Sequence, residues 1–511
     1  MTHHKDTKTP RKRTDRNAAP PPFVPLWLRK HPMEKILSCL LTFVILNLSG
    51  VQVHSSPPEK PNVIFFLADD LGYMDIGAFN PKTFYETPNI DGIAKKGMRF
   101  TDGYAACGVC SPTRSSIMTG KYPPRTGITD HSGGKRAGKL LPAPHTVDMA
   151  LEEYTIAEAM RDAGYSTFFA GKWHLGSKQF GPNGQGFDPD LISLKGGYFP
   201  AGSKDPDPAA DPKNSDLIAD SAVAFINANK NKPFFAYLPF NAVHIPMGAR
   251  PDLVEKYKNK QASAPQDEWG QEGENKVRLV QNNPVYAAML EQMDSAVGRV
   301  LEAVKQNGLS DRTAIIFMSD NGGLSTAEGH VTSNIPLRAG KGWPYEGGVR
   351  EPLIISVPGM TKSGSTCNTP VISTDFYPTI LQLAGLPLNP KQHCDGTSLV
   401  PLLEGKPLAR SPLFWHYPHY SNQGGAPAGT IRDGDWKLVE WFEDGRLELF
   451  NLRDDIGEKN NLAAANPDKT KELHNKLVAW RKDVNAVMPL PNPDYNPAHP
   501  VTKPKKQGPG E

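Results

Sequence analysis

Two cysteines three positions apart lie in the stretch whose residue types are best suited to chemistry. Residues 107–114 read CGVCSPTR, and the C-x-x-C spacing of Cys107 and Cys110 is typical of a redox pair or of half a zinc site. A redox pair needs a thioredoxin-like βαβ setting, and a zinc site needs a second Cys/His pair. Cys367 and Cys394 lie far apart in the sequence and supply no such pair. A redox or zinc-binding module is therefore the weaker of two interpretations.

The second interpretation begins at Cys110. Ser111-Pro112 is typical of a helix start, with the serine as N-cap, and Gly120 would end a helix over 113–119. Cys110 then lies just before a helix N-terminus, whose backbone N–H groups and dipole attract anions. Arg114 lies in the first turn and can reach the same point. A nucleophile that attacks a sulfate or phosphate ester needs such an electropositive setting.

Four apolar runs of strand length each lead into residues that are charged or able to bind metal. Because ligands bind beyond the carboxyl ends of the strands in open α/β sheets, these four ends are expected to form one site. The runs alternate with helical stretches such as 156–163 and 284–306, which predicts a mostly parallel sheet. The runs and the residues after them are 62–68 with Asp69-Asp70, 166–170 with 171–174, 233–238 with His244, and 314–318 with 319–323.

Two of these strand ends supply oxygen ligands. Asp69, Asp70, Asp320 and Asn321 provide three carboxylates and one amide oxygen, without an accompanying His or Cys pair. Such hard donors suit Ca²⁺ or Mg²⁺ rather than Zn²⁺. Paired carboxylates are also compatible with acid–base work, and an Asp-Asp pair alone does not decide between the two roles.

The chain divides by composition into a leader, two domains and a tail. Residues 60–405 carry the alternating strands and helices and are expected to form the catalytic domain. Residues 406–490 are typical of short antiparallel strands followed by a helix. Residues 491–511 are rich in Pro, Lys and Asn, which predicts disorder. The predicted fold is α/β, a large, mostly parallel mixed sheet sandwiched by helices, with a smaller C-terminal α+β domain that carries an antiparallel sheet.

Residues 1–55 are expected to be a basic leader followed by a signal peptide. The 13-residue, mainly apolar run 36–48 is short for a membrane span and suits a signal-peptide h-region. Met33 is an alternative start, and a retained anchor is the alternative to cleavage. We expect an exported chain, periplasmic or secreted, with no stable membrane span. Residues 1–35 hold nine Lys or Arg and three Asp or Glu, so the remainder carries a net charge of −3, which does not indicate nucleic acid as a partner.

The stretch from Cys110 onwards resembles a known family signature. Residues 110–121 read CSPTRSSIMTGK, which is similar to the signature of the formylglycine-dependent type I sulfatase (arylsulfatase) family, in the alkaline-phosphatase-like superfamily. Other motifs of the family lie before and after this stretch, in the family's order and along most of the chain. This ordered set is far more specific than a lone C-x-P-x-R. They are NVI at 62–64 with DDLG at 69–72, TPNID at 87–91, GMRF at 97–100, GKWHLG at 171–176, SDNGG at 319–323, and GK at 340–341 with EGG at 346–348.

The resemblance implies a modified cysteine and a metal ion. In this family the first cysteine of the signature, here Cys110, is oxidised by a formylglycine-generating or sulfatase-maturing enzyme, and the hydrated aldehyde supplies a hydroxyl nucleophile. One Ca²⁺ per chain is implied, held by Asp69, Asp70, Cys110, Asp320 and Asn321. The other implied roles are sulfate binding by Lys172, His244 and Lys341, protonation of the leaving oxygen by His244 or Lys341, proton abstraction from the hydrate by His174, and stabilisation of the ionised nucleophile by Arg114.

The resemblance therefore implies a sulfuric ester hydrolase that releases inorganic sulfate from a sulfated carbohydrate or an aryl sulfate. A phosphodiesterase or phosphonate hydrolase on the same scaffold stays open, since fold does not fix function. A sugar-binding protein without enzymatic activity is a more distant alternative. Two regions are candidates for substrate contact: the aromatic cluster 415–420 with His416 and His419, and a basic loop with His131, Lys135, Arg136 and Lys139. Such an aromatic cluster more often packs in a core.

Overall fold

A seven-stranded sheet lies at the centre of the computed structural model, which describes residues 60–131, 133, 136–188 and 190–498. The leader 1–55, Lys135 and the end of the predicted tail, 499–511, lie outside the described residues. The strands are β1 (Asn62–Ala68), β2 (Met98–Phe100), β3 (Ser166–Phe169), β4 (Phe234–Pro239), β5 (Thr313–Ser319), β6 (Leu353–Ser356) and β7 (Ser365–Cys367). Their order is β7-β2-β6-β5-β1-β4-β3, and within this sheet β6 alone runs antiparallel to its neighbours, which confirms the predicted mostly parallel sheet.

The register of β1 brings the carboxyl ends of the central strands to one level. Ala68, the last residue of β1, pairs with Ser319, the last residue of β5. On the other side of β1, Leu67 pairs with Pro239, the last residue of β4. The residues that follow these three strands therefore leave the sheet side by side.

Helices cover both faces of the sheet because both faces of its strands are apolar. The main helices are α1 (Pro88–Lys96), α2 (Cys110–Thr119), α3 (Ile156–Asp162), α4 (Ser215–Asn229), α5 (Pro251–Gln261), α6 (Pro284–Gln306), α7 (Phe376–Leu383) and α8 (Pro467–Asp483). Side chains alternate along a strand, so Ile64 and Phe66 pack in a core with α4, α5 and α6, whereas Phe65 and Leu67 pack in a second core with α2, α3 and α7. All residues of β1 are fully buried, as expected for a central parallel strand.

The C-terminal part forms the predicted antiparallel sheet. Its strands are β8 (Leu413–Tyr417), β9 (Ala428–Asp433), β10 (Trp436–Trp441) and β11 (Leu447–Asn451), paired in chain order. Gly434 and Gly445 have φ of 61° and 69° in the turns that join the last three strands, a conformation that favours glycine. One face of the sheet packs against Leu473, Leu477 and Trp480 of α8.

A buried group of charges joins this sheet to the larger part of the fold. Lys437 of β10 pairs with Glu346 and Glu458 at 2.9 Å each, and all three side chains are fully buried. Glu346 also pairs with Arg350 at 3.1 Å. The C-terminal sheet therefore holds the loop that leads into Glu346.

Contacts continue into the segment assigned by composition to the tail. Leu490–Pro491 pairs with Leu140–Leu141, and the side chain of Asn492 donates to the carbonyl of Gly138 at 2.8 Å. Within the described residues, no helix combines the length and the apolar character needed to cross a membrane.

Candidate active site

The residues after four strands of the central sheet lie together at its carboxyl edge. Lys172, after β3, places Nζ 2.5 Å from Oδ2 of Asp69, after β1. Asn321, after β5, donates to Oδ1 of Asp70 at 2.8 Å, and His244, after β4, has Nε2 3.6 Å from Oδ2 of Asp70. The structure thus brings together the four strand ends that were singled out in the sequence.

Cys110 is the first residue of α2, so the prediction that Ser111 caps this helix is wrong. Val109 is the N-cap, with extended backbone (φ −138°, ψ 158°), and Ser111-Pro112 already belong to the first turn. Proline fits there because the first N–H groups of a helix have no intrahelical acceptor. Cys110 is buried, with Sγ 3.7 Å from Nζ of Lys172. Burial raises the pKa of the Cys110 thiol to about 11, so the unmodified side chain is a neutral thiol.

Arg114 fixes two of the neighbouring groups. Its Nε and Nη2 lie 2.9 and 2.7 Å from Oδ2 of Asp320, and its Nη1 donates to the carbonyl of Lys172 at 2.7 Å. The guanidinium is 1% exposed, so these contacts are shielded from water. Arg114 therefore orients the Asp320 carboxylate and the loop after β3 through a side chain that projects from α2.

Asp70 adopts a left-handed backbone conformation at the end of β1. Its φ of 64° turns the chain as it leaves the sheet, so that the neighbouring carboxylates of Asp69 and Asp70 do not project to opposite sides. Ligand atoms of Asp69, Asp70, Cys110 and His244 all lie within 4.8 Å of one another. Lys341 completes the cluster with Nζ 2.6 Å from Oδ1 of Asp70. The pKa of Asp69 is far below its usual range, because Lys172, His244, Arg114 and Lys341 outweigh the effect of burial.

The two histidines of the cluster differ in their surroundings. Nδ1 of His244 lies 2.6 Å from the carbonyl of Ile245, which fixes a proton on Nδ1 and leaves Nε2 facing the cluster. His174 has a φ of 63°, and its Nδ1 has no hydrogen-bond partner among the described residues. Burial, with Lys172 and Arg114 nearby, holds the pKa of His174 well below its usual value, so this imidazole is neutral.

The donor set fits a calcium ion. Oδ1 of Asp69 and Oδ1 of Asn321 are buried and accept no hydrogen bond from the described residues. Buried oxygen atoms without a donor are costly, and a cation would satisfy them. Asp70 and Asp320 add carboxylates at the same place, and oxygen-rich sets of this kind match Ca²⁺.

A pocket of about 380 Å³ opens beside this cluster. Its lining contains predicted site residues and residues that the sequence did not indicate, notably Lys213, Asn241, Glu328 and Gln423. These four residues lie outside the family motifs, and no local pattern marks them. His131 of the basic loop also lines the pocket, held by Asp130 Oδ1 at 2.9 Å, whereas Arg136 and Lys139 line a neighbouring cavity. The full lining is Asp69, Val109, Cys110, His131, Lys172, His174, Lys213, Asn241, His244, Ile245, Glu328, Lys341, Asn422 and Gln423.

The structure places His416 and His419 outside the lining of this pocket, and contact of either side chain with the substrate stays a prediction. His416 is 3% exposed, donates from Nε2 to the Val487 carbonyl at 2.9 Å, and packs against Phe442. His419 is fully buried and bonds Thr129 at 2.8 Å. His416 therefore packs within the C-terminal part, whereas His419 packs between Tyr417 and His145.

The cysteines do not form the alternative site. The four cysteines of the described chain are free thiols, so neither Cys107–Cys110 nor Cys367–Cys394 is a disulfide. Burial raises the pKa of Cys107 far above its usual value, which makes this thiol unreactive. Cys107 is buried and belongs to no cluster of metal-binding side chains among the described residues.

Fold and site together define a class of enzyme. A nucleophile precursor at a helix N-terminus, lysines paired with aspartates, and an oxygen-rich metal cluster at a sheet edge are suited to hydrolysis of an anionic ester. The sequence profile of the sulfatase family matches residues 61–386, and that of the C-terminal region of N-sulphoglucosamine sulphohydrolase matches residues 339–483. The chain belongs to the sulfatase family and is an enzyme of sulfate ester hydrolysis.

Relatives from bacteria and animals are similar over most of their length. A sulfatase from Formosa agariphila is 33% identical, over 89% of this chain and 95% of the relative. Human arylsulfatase A is 32% identical, over 81% of this chain and 86% of its own. The crystal structure of Ps i-CgsB superimposes on this chain with a TM-score of 0.69 and a sequence identity of 30%. The comparison covers 83% of this chain and 93% of the Ps i-CgsB chain.

Proposed function

We propose that this chain is a calcium- and formylglycine-dependent sulfatase that removes sulfate from a sulfated saccharide. The observation that carries the proposal is the position of Cys110, at the N-terminus of α2 and 3.7 Å from Lys172, beside buried carboxylates. A formylglycine made from Cys110 by a maturing enzyme would supply the hydroxyl nucleophile. Calcium held by Asp69, Asp70, Asp320 and Asn321, with the modified residue 110, would offset negative charge beside it.

Lys172 and Lys341 bind the sulfate group in this proposal. Each ammonium group pairs with one aspartate and has further N–H donors, and both side chains line the pocket. In this role they would hold the sulfate oxygens and stabilise the negative charge that develops during S–O cleavage. Arg114 acts through Asp320 and through the carbonyl of Lys172, so it holds two of these groups in place.

His244 and His174 handle protons. The carbonyl of Ile245 fixes the Nδ1 proton of His244, so Nε2 is the atom that donates a proton to the leaving oxygen. Oδ2 of Asp70 lies 3.6 Å from this Nε2 atom. His174 is neutral and buried, so it can accept a proton from a hydroxyl group on residue 110.

A saccharide suits the pocket in size and polarity. Its volume of about 380 Å³ exceeds the needs of a sulfate group, and amide side chains such as Asn241 and Gln423 provide partners for hydroxyl groups. Relatives named for such substrates support the proposal: a canine N-acetylgalactosamine-6-sulfatase is 28% identical, and Ps i-CgsB, at 29% identity, was also solved with a bound neocarrahexaose.

Mass spectrometry and sulfate release test the proposal together. Protein produced with a maturing enzyme should give a peptide around Cys110 that is lighter than the unmodified one, because –CHO replaces –CH₂SH. Cys110→Ala should release no sulfate from an aryl sulfate, whereas Cys107→Ala, the matched control, should retain activity. A chelator should abolish activity and Ca²⁺ should restore it. Full activity with an unmodified Cys110 would refute the mechanism.

We also propose that the chain is exported. The apolar run 36–48 after Lys35 supports this proposal. Cell fractionation and N-terminal sequencing of the native protein should find a chain shortened beyond residue 48 outside the cytoplasm. Recovery of the protein from the cytoplasm with residues 36–48 intact would contradict export.

A further inference from the structure

Lys213 is a buried lysine that lines the active-site pocket and has no partner among the described residues. Its side chain is 9% exposed and lines the pocket. It forms no hydrogen bond or ion pair with any residue in the described ranges, unlike Lys172 and Lys341, which pair with aspartates at 2.5 and 2.6 Å. An unpaired ammonium group in such a place is unusual, because burial of a charge is costly unless it is paired.

The segment around Lys213 is firmly held, so the lysine is not a loose surface side chain. Asn214, with a φ of 56°, donates from Nδ2 to the carbonyl of Lys195 at 2.6 Å. Asp211 is 3% exposed and accepts from the backbone N–H of Leu217, in the first turn of α4, at 2.9 Å. These bonds hold the backbone on both sides of Lys213, which lines the pocket.

The carboxylates near the pocket are already engaged with other partners. Asp69 pairs with Lys172, Asp70 pairs with Lys341, and Glu328 accepts from Gln423 at 2.6 Å. Burial lowers the pKa of Lys213 to about 8, which still leaves the amine largely protonated at neutral pH. Lys213 is thus not paired with a carboxylate among the described residues, and an anion that enters the pocket can pair with it.

We infer that Lys213 binds a second anionic group of the substrate, a sulfate or a carboxylate other than the sulfate ester that is hydrolysed. The inference rests on the proposed function, in which Lys172 and Lys341 bind the sulfate to be cleaved. Lys213 is then a specificity-determining residue. The preferred substrate is a saccharide that carries two negative groups close together, and an aryl sulfate or a singly sulfated sugar lacks the group that Lys213 recognises.

Three substrates test this inference: a monosulfated monosaccharide, the same sugar with a second sulfate, and a monosulfated uronic acid. The native enzyme should prefer at least one doubly anionic sugar in kcat/KM. Lys213→Gln should reduce that preference about 10- to 100-fold, the value of a charged hydrogen bond expressed as a rate ratio. Lys204→Gln, at an exposed lysine of the same region, should leave the preference unchanged. If kcat/KM falls more for the disulfated sugar, the second group is a sulfate. If it falls more for the sulfated uronic acid, the second group is a carboxylate.

Binding separates loss of recognition from loss of catalysis. Calorimetry should compare Cys110→Ala with the double variant Cys110→Ala with Lys213→Gln. The second substitution should weaken the binding of the preferred sugar by a similar factor and should weaken the binding of the monosulfated sugar less. Equal losses for all three sugars, or no loss, would overturn the inference and place Lys213 in the site of the cleaved sulfate or outside recognition. If the native, modified enzyme hydrolyses no sulfate ester, including an aryl sulfate, the proposed function itself fails.

Discussion

The buried ion pairs of Lys437 test how the C-terminal sheet supports the active site. Lys437 places Nζ 2.9 Å from carboxylate oxygens of both Glu346 and Glu458. Glu346 begins the short helix Glu346–Val349, which follows the loop that contains Lys341, the residue that we assign to sulfate binding. Lys437→Met removes the charge and keeps an unbranched side chain that can fill the same space.

The expected loss in the free energy of unfolding of Lys437→Met depends on the partners that Glu346 and Glu458 keep. Glu346 keeps Arg350 at 3.1 Å and the hydroxyl of Tyr104 at 2.7 Å, whereas Glu458 loses the single cation that it pairs with among the described residues. Removing one partner of a buried ion pair costs about 3–5 kcal/mol. That is a large part of the roughly 5–15 kcal/mol that stabilises a typical folded domain.

The loss of stability should depend on pH. Burial and the nearby Glu346 raise the pKa of Glu458 to about 7 even with Lys437 present, and removal of Lys437 raises it further. A carboxyl group whose folded pKa lies above its unfolded value of about 4.3 loses stability as the pH rises through the folded pKa. The deficit of Lys437→Met relative to the native protein should therefore be larger at about pH 8 than at about pH 6.

Urea unfolding at both pH values measures this effect, and kcat/KM on an aryl sulfate measures its consequence for the site. The double variant Lys437→Met with Glu458→Gln removes the unpaired charge and should recover about 1–3 kcal/mol. If Lys437→Met lowers the free energy of unfolding by less than about 1 kcal/mol at both pH values, the reasoning is refuted. Such a result would mean that these charges are not held as a buried pair.

Three further variants test separate parts of the structure. Asp320→Asn should weaken Ca²⁺ binding in calorimetry and abolish sulfate release, and unchanged Ca²⁺ affinity would exclude Asp320 as a ligand. Thr155→Ala should lower the free energy of unfolding by about 1 kcal/mol in urea, because its hydroxyl accepts from the N–H of Glu158 at the start of α3; no change would show that this cap is not stabilising. Burial lowers the pKa of His416 to about 4, so the native protein should lose stability as the pH falls from about 6.5 to about 4. His416→Phe should remove this loss and leave kcat/KM unchanged. A fall in kcat/KM would instead indicate that His416 contacts the substrate.

Elements with strong local signals were predictable from the sequence. The helix expected at 284–306 is α6, since Asn283 caps it, Pro284 begins it and its apolar residues repeat at helical spacing. The strand expected at 62–68 is β1, because a short, wholly apolar run before Asp69-Asp70 leaves little choice of length. The N-cap of α2 was misplaced by local reasoning, since proline is tolerated at several positions of a first turn.

Partners from distant parts of the chain were not predictable from local patterns. The pairing of Lys437 with Glu346 and Glu458 depends on how β10 packs against a loop far away in the sequence. The inward position of His416 depends on the register of β8 against β9, which decides the face on which each side chain lies. Lys213 lies in a polar segment without a motif, and its lack of a partner becomes visible only when the pocket is assembled.

The charges of the site favour a substrate with more than one negative group. Three carboxylates, Asp69, Asp70 and Asp320, pair with three cations, Arg114, Lys172 and Lys341. A divalent cation bound to these carboxylates would add two positive charges. An ionised nucleophile and the single charge of a sulfate ester would offset them. Lys213 and Glu328 also line the pocket, and Glu328 accepts from the amide of Gln423. A buried ammonium group that is not paired with a carboxylate is unfavourable. A second anion on the saccharide would balance it, which gives an electrostatic reason for this enzyme to select densely charged sugars.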